Sequence, residues 1–427
     1  MSLSNKKFTQ TEIGLIPDDW QVTITKKCLS VPITDGPHET PILYEDGIPF
    51  ISAESVSSGN GRIDFSRMRG YISEEYHQEC CKKYKPQKND VYIIKSGSTT
   101  GKVAIVKTEQ VFNIWSPLAV LRAKQDIVPD YLFYAVQSSY YQEQIIQAWG
   151  MGTQQNIGMR TLEHLKVAYP EYDEQNAIAT ALSDMDALIE AKKALLEKKR
   201  AIKQGAMQEL LTGRRRLPGF PVTPMKKTDI GEIPEDWDEV NIKAVCNIDP
   251  DSLSSNTSPD FEFSYISLEG VSKGKLLNYE QKVFKFAPSR ARKRPKEGDT
   301  LFGTVRPNLQ SHYLFAKHAG EFVCSTGFAV LRPVRICPNF LFQLVLSNLV
   351  SVQIDSMISG SNYPAVSSSD VGNLIIPYPK EEEQQAIASV LNDMDAEIND
   401  LDEEIIKLRN LKQGMMSELL TGRIRLV

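Results

Sequence analysis

No run of about 18 apolar residues occurs in the 427-residue sequence, so no single transmembrane helix is expected. Its first twenty residues, MSLSNKKFTQTEIGLIPDDW, contain no apolar signal core, and an intracellular chain is expected. The six cysteines (Cys28, Cys80, Cys81, Cys246, Cys324, Cys337) form no C-x-x-C pair, which points to reduced structural thiols rather than a zinc or redox site. Five dispersed histidines (His38, His77, His164, His312, His318) offer no metal cage.

Enzymatic signatures are missing too. GSTTGKV (Gly97 to Val103) is one residue short of a phosphate loop and has Val103 where a magnesium-binding hydroxyl would stand. No G-x-G-x-x-G, H-E-x-x-H or G-x-S-x-G stretch appears. The pairs Asp184/Asp186 and Asp393/Asp395 are two apart on helical stretches, do not share a face, and read as solvated positions. No catalytic residue, cofactor or metal is expected. What remains is binding.

An overall excess of positive charge is also lacking, since the chain has a net charge of −5. Residues 1–172 and 217–379 each carry −1, residues 173–216 carry +2, and residues 380–427 carry −5. The acidity therefore belongs to one C-terminal stretch and not to the bulk of the chain.

What is present is a duplication. KQGAMQELLTGR (Lys203 to Arg214) returns as KQGMMSELLTGR (Lys412 to Arg423), 209 residues later. YPEYDEQNAIATALSDMDALIE (Tyr169 to Glu190) matches YPKEEEQQAIASVLNDMDAEIN (Tyr378 to Asn399) at the same offset. TEIGLIPDDW (Thr11 to Trp20) matches TDIGEIPEDW (Thr228 to Trp237) at 217. Between these landmarks the halves diverge, with faint echoes at KKYKPQKNDVYII and ARKRPKEGDTLFG, and at LAVLRA and FAVLRP. The order is variable, shared, variable, shared.

Both shared segments read as long helices of about forty residues. The second shows an apolar stripe, Ile387, Val390, Met394, Ile398, Leu401, Ile405, Leu408, Met415 and Leu419, at coiled-coil spacing. The first runs Ile178, Ala181, Met185, Ile189, Leu196, Ile202, Ala206, Leu210, with Leu188 and Leu195 expected to share the seam where Lys192 and Lys199 interrupt it. Each ends at a Thr-Gly cap. Gly205 and Gly414, matched inside the helices, point either to a close backbone crossing or partner contact, or to simple inheritance by duplication. The variable segments read as α/β: β-rich runs such as GIPFISA, DVYIIK, FSYISL and GFAVLR, followed by helical DYLFYAVQSSYYQEQI and NFLFQLVLSNLVSVQI.

Basic residues cluster before one β-rich run of each half: Lys82, Lys83, Lys85 and Lys88, and Arg290, Arg292, Lys293, Arg294 and Lys296. At the 209 offset Lys83 matches Arg292 and Lys85 matches Arg294, a basic turn placed twice that suits phosphate positioning. A solvated basic loop is the plainer reading.

The doubled IGxIPxDW, EQxAIAxxLxDMDAxI and KQGxMxELLTGR pattern covers the whole chain and resembles the specificity subunit of type I restriction–modification systems. DGPHETP (Asp35 to Pro41) followed by GIPFIS also resembles the opening of target-recognition domains in that family. The resemblance implies an α/β chain with a pseudo-twofold internal repeat, in which two globular target-recognition domains (1–172 and 217–380) are separated by two long antiparallel coiled-coil helices (173–216 and 381–427). Each variable domain would read one half of a bipartite, asymmetric double-stranded DNA site. The helices would hold the two apart and dock methyltransferase subunits, two by symmetry, with motor–nuclease subunits joining through the complex. Adenine methylation with S-adenosylmethionine would belong to the partner. The alternative is a non-catalytic protein-binding scaffold built on the helices.

Side chains able to pair with base edges gather in four loops. Lys95, Ser96, Ser98, Thr99, Thr100 and Lys102 lie in KSGSTTGK, and Arg306, Asn308 and Gln310 in TVRPNLQSH. Gln154, Gln155 and Asn156 precede the first long helix; Ser361, Asn362 and Tyr363 precede the second, Tyr363 as a stacking or wedging group. Asp35 and His38 complete the set, with a turn-stabilising role equally open for His38, and Lys83, Lys85, Arg292 and Arg294 are the phosphate candidates.

Overall fold

The computed structural model describes residues 7–149, 155–358 and 364–426. The chain forms two compact units, Met1–Lys193 with Glu404–Val427, and Ala194–Glu403. Each unit therefore contains one variable domain and a stretch of each long helix, a division that sequence similarity does not display.

In the first unit, β1 (Thr34–Asp35), β2 (Val91–Ile94), β3 (Val103–Ile105) and β4 (Leu118–Leu121) form a sheet in the order β1, β4, β2, β3. Register places Leu118 opposite Ile94 and Ala119 opposite Ile93. Every residue of β2 and β4 is buried, so both faces are covered and the strands read as continuous apolar runs rather than alternating ones. A second, mixed sheet has Ile48–Ile51 at its centre, antiparallel to Gly70–Ile72 and parallel to Asn113–Ile114. The expected helical stretch after β4 is broken into Pro129–Ala135 and Ser139–Ala148. The second break point is capped by the Ser138 side chain, which accepts from Tyr141 N–H.

In the second unit, β5 (Cys246–Ile248), β6 (Thr300–Gly303), β7 (Tyr313–Leu314) and β8 (Phe328–Pro333) repeat the arrangement in the order β5, β8, β6, β7. Glu262–Ile266 likewise pairs antiparallel with Glu280–Val283 and parallel with Phe322–Ser325. Two domains with little sequence in common thus share the strand order of the first sheet, while the second sheet gains a fourth strand, Ala291–Lys293, in the second unit.

The long helices are α1 (Tyr172–Leu210) and α2 (Glu381–Leu419), each 39 residues and about 58 Å at 1.5 Å per residue. Acidic first turns, Asp173–Glu174 and Glu381–Glu383, suit the helix dipole. In the first unit Lys412 lies 2.6 Å from Asp186 and Lys192 2.8 Å from Glu404; in the second, Lys203 lies 2.6 Å from Asp395 and Lys199 2.6 Å from Glu397. In both, higher numbers on one helix meet lower numbers on the other, so the pairing is antiparallel. Ile178, Leu182, Leu419 and Leu420 join the first unit's core, and Met207, Leu210, Ile387 and Leu391 join the second's. Each such buried aliphatic side chain contributes about 2 kcal/mol.

The α2 stripe lies buried or half-buried throughout, as its spacing predicts. On α1, however, Leu188, Leu195 and Ile202 are 42%, 40% and 49% exposed. Of the expected stripe Ile178, Ile189, Leu196 and Leu210 are buried, and Leu182 and Met207, which the spacing did not single out, are buried with them. Lys192, Lys199 and Lys203 are each partly buried and place the ammonium beside an acid of the other helix, as a long apolar stem allows. Asp186 and Asp395 are not merely solvated: Tyr134 Oη donates to Asp186 at 2.8 Å, and Gln343 Nε2 to Asp395 at 2.9 Å. A Cβ on Gly205 or Gly414 would meet nothing within 4 Å, so neither glycine marks a close crossing among the described residues.

Both helices end at a glycine with positive φ, Gly213 (+70°) and Gly422 (+68°). A side chain there would also run into Pro234 and Pro17, the prolines of the two IPxDW motifs. The helix-end motif and the IPxDW motif are therefore halves of one joint. Arg216 completes it in the second unit by binding Glu383 and Asp236 over the Trp237 ring. Arg425 does so in the first with Glu174, Asp19 and Trp20. The Arg216 hydrogen bond, the largest influence, holds the Asp236 carboxyl down at about 2.

All six cysteines are free, and burial pushes the Cys28 and Cys246 thiols up to about 12, which fits inert structural thiols. Among the described residues no single helix is long and apolar enough to cross a membrane, and no group of three or more potential metal ligands gathers.

Candidate nucleic-acid interface

The stretch that imitated a phosphate loop is the turn joining β2 to β3; no helix follows it, which removes the helix N-terminus a phosphate loop needs. Beside it lies the segment preceding α1. Gly97 N–H donates to Gln155 O at 3.0 Å, Ile157 N–H donates to Lys95 O at 2.8 Å, and Ser96 and Asn156 form an antiparallel bridge. Thr100 Oγ1 donates to Gly97 O at 2.7 Å and to Gln155 O at 3.3 Å. Two loops some sixty residues apart in sequence thus form a single backbone frame.

The second unit builds the same frame 209 positions on. Arg306 N–H donates to Pro364 O at 2.7 Å, Val366 N–H to Thr304 O at 2.9 Å, and Val305 bridges Ala365. Its turn has the same backbone shape but different residues. Gly97 (φ +100°) and Gly101 (φ +90°) correspond to Arg306 (φ +49°) and Gln310 (φ +51°). Left-handed backbone costs a non-glycine residue about 1–2 kcal/mol, so the second turn holds Arg306 and Gln310 at a cost the first avoids.

Within the first frame Gln155, Asn156, Ser98 and Lys102 are exposed, while Ser96 and Thr99 are half-buried. No hydrogen bond occupies the Gln155 or Asn156 side chain among the described residues, which leaves their amides able to meet a base edge. Thr100 is buried with its hydroxyl consumed by the frame, a correction to its expected role. In the second frame Arg306 and Asn308 are exposed, whereas Gln310 is half-buried with Nε2 3.5 Å from Ser351 Oγ. Gln154, Ser361, Asn362 and Tyr363 lie outside the described residues.

Asp35 is corrected from a surface contact to a buried anchor, 1% exposed. Its carboxylate lies 2.5 Å from Lys83 Nζ, 3.3 Å from Lys95 Nζ and 3.0 Å from His38 Nε2. Burial acts to raise its pKa, but the Lys83 bond and the charges of Lys83 and Lys95 outweigh this and hold it below the usual range. His38 and Lys83 reach it from the surface, 69% and 51% exposed, whereas Lys95 is 13% exposed and is fixed beneath the turn.

The basic clusters do not form the same turn twice. Lys83 ends the helix Glu74–Lys83, whereas Arg292 lies in the strand Ala291–Lys293. Arg292 stacks 5.2 Å over Phe284, and Arg294 lies 2.8 Å from Glu321, so both guanidiniums are engaged within the unit. Lys85 is exposed. A matched feature that sequence reading missed sits just behind each turn: Asp90 is bound by Arg122 at 2.7 and 2.8 Å, and Asp299 by Arg332 at 2.8 Å and 3.0 Å. Each carboxylate also accepts a backbone N–H, from Gln87 or Lys296. The aspartate ahead of each strand and the arginine in LAVLRA and FAVLRP were its only sequence signal.

A family model described as the type I restriction modification DNA specificity domain matches residues 38–198 and 234–408. The putative type I restriction enzyme MjaX specificity subunit of Methanocaldococcus jannaschii is 29% identical, over 98% of this chain and 97% of its own length. The MjaVIII specificity subunit of the same organism is 26% identical over 96% of this chain and 94% of its own. Among solved structures, the type I restriction–modification S subunit from M. genitalium aligns with TM-score 0.57 at 15% identity, covering 98% of each chain. A chain from a type I restriction–modification system solved in a study of complex assembly aligns with TM-score 0.54 at 16% identity, over 96% of this chain and 99% of the other.

Proposed function

The chain belongs to the type I restriction–modification DNA specificity family, and on that premise we propose that it reads a bipartite, asymmetric duplex site, one half-site per variable domain. Methyltransferase subunits dock on the paired helices, carry out adenine methylation, and recruit the motor–nuclease subunits. This chain supplies recognition and no chemistry.

The carrying observation is the pair of frames. Two domains present turns of identical backbone pairing, Ser96 to Asn156 and Val305 to Ala365, and populate them with unlike side chains. A conserved frame with variable contents suits two readers of different base sequences, because the backbone sets the approach while amide and guanidinium groups choose the base. Gln155 and Asn156 suit adenine, and Arg306 suits guanine.

The test is the methylome of cells expressing this chain with its methyltransferase subunit. A split motif with methyladenine in each half is expected. Continuous motifs, or none with an active partner present, refute the reading and leave a protein-binding scaffold.

A further inference from the structure

An open cleft of about 940 Å³ in the first unit runs from the reading turn, at Thr100 to Val103, to the helix pair. Arg62, Lys102, Lys193, Arg409 and Lys412 line it, against Asp186 and Glu190. Lys412 is satisfied by Asp186 at 2.6 Å and Lys193 lies 2.6 Å from Glu190. Arg62, Lys102 and Arg409 are exposed and have no acidic partner among the described residues.

The second unit shows what the same place looks like when its cations have an acid between them. The turn carrying Arg62 follows Asn60 and Gly61, both at positive φ, and Gly61 lies against Phe133. Its counterpart carries Lys275 after Lys273 and Gly274, also at positive φ, with Gly274 against Phe342. Arg200 stands at the position of Arg409 in the repeat. Both cations converge on one carboxylate, Asp402: Arg200 at 3.0 Å and Lys275 at 3.9 Å. The residue 209 positions before Asp402 is Lys193. Where the second unit places an anion between two cations, the first places a third cation.

Resting on the proposed DNA reading, we infer that this cleft is a phosphate-binding groove: Arg62, Lys193, Arg409 and Lys102 take the sugar–phosphate backbone beside the half-site read by the first domain. DNA supplies the negative charge that Asp402 supplies internally in the other unit. Continuity with the reading turn favours a nucleic-acid backbone over a protein partner, since a strand whose bases meet Gln155 and Asn156 brings its phosphates past Lys102. Backbone contacts of this kind position without reading sequence. The grip on the two half-sites is consequently unequal.

The experiment uses the complex with the methyltransferase subunit, a duplex carrying the methylated motif, and a scrambled duplex. Affinity is followed against salt concentration for the unsubstituted chain, Lys193→Asp and Arg62→Ala. Each phosphate contact contributes about 0.9 to the slope of log affinity against log salt. Lys193→Asp is expected to flatten the slope by about 2 to 3, because the new carboxylate captures Arg62 and Arg409, and Arg62→Ala by about 1. Affinity for both duplexes should fall in parallel, with an unchanged melting temperature. An unchanged slope in both variants, with specific binding by the unsubstituted complex, overturns the groove alone. So does loss of methyltransferase association in place of the slope change. Failure of the unsubstituted complex to bind any duplex overturns the DNA reading and the groove together.

Discussion

Arg216 Nε lies 2.6 Å from Glu383 Oε1, with side chains only 4% and 3% exposed. The arginine follows the end of one repeated helix and the glutamate begins the other. Glu383 also accepts from Trp237 Nε1 at 3.0 Å, and Asp236 lies 2.9 Å from Arg216. A motif duplicated in sequence is thus a joint in space.

Removing Glu383 leaves the buried Arg216 with Asp236 alone and takes away the acceptor of Trp237 Nε1, and removing Arg425 strips the buried Glu174 of its cation. Glu383→Ala is expected to destabilise the second unit by about 3 kcal/mol or more, measured by denaturant unfolding of the full chain. Arg425→Ala should act similarly on the first unit through Glu174. A loss below about 1 kcal/mol in either variant would show the joint to be incidental.

His312 makes the second unit acid-sensitive. It is 2% exposed, accepts from Gly303 N–H at 3.1 Å, and burial pushes its pKa down to about 3 from an ordinary value of 6.5. Because the folded pKa is depressed, the unfolded chain takes up the proton first. Its stabilising effect is whole above pH 6.5 and is lost as pH falls from there towards 3, at no more than about 1.4 kcal/mol per pH unit. His312→Asn should remove this component of the stability profile between those limits; identical pH slopes for both proteins would contradict it.

Arg306 sits on a left-handed backbone that glycine takes without strain. Arg306→Gly should raise stability by up to about 1 kcal/mol, since glycine adopts the φ of +49° without penalty. The same change should relax the motif at one position in the half-site read by the second domain. A methylome with both halves unchanged would remove Arg306 from the readers.

Asn156→Ala should weaken discrimination at one base pair of the other half-site by about 1–3 kcal/mol, seen as degeneracy at that position. Exchanging residues 21–168 for the corresponding segment of another family member should rewrite that half-site and leave its companion intact. A change in both halves would contradict independent readers.

The shared elements were legible because they repeat: α2's stripe lies where its spacing places it, and both helices stop at their Thr-Gly ends. On α1 the spacing places Ile178, Ile189, Leu196 and Leu210 correctly but Ile202 wrongly, and Leu188 and Leu195, brought in by treating lysine as an interruption, are exposed. Lysines with long apolar stems can flank a seam while their ammoniums find acids on the other helix. Asp35 misled for a related reason. A carboxylate in a Gly-Pro turn looks solvent-facing until Lys83, Lys95 and His38 are brought to it from other segments.

By itself, the order of residues determined the family, the duplication, the α/β character of the divergent segments and the two long helices. All of these rest on local periodicity or on like stretches recurring along one chain. Only the tertiary structure decided that the turn after β2 and the segment before α1 are one surface. It alone placed Asp402 between Arg200 and Lys275, and revealed that Lys193 leaves Arg62 and Arg409 without an acid. Hydrogen bonds and charges act through distances in space, and residues that meet across sixty or two hundred positions leave no local pattern from which those distances can be read.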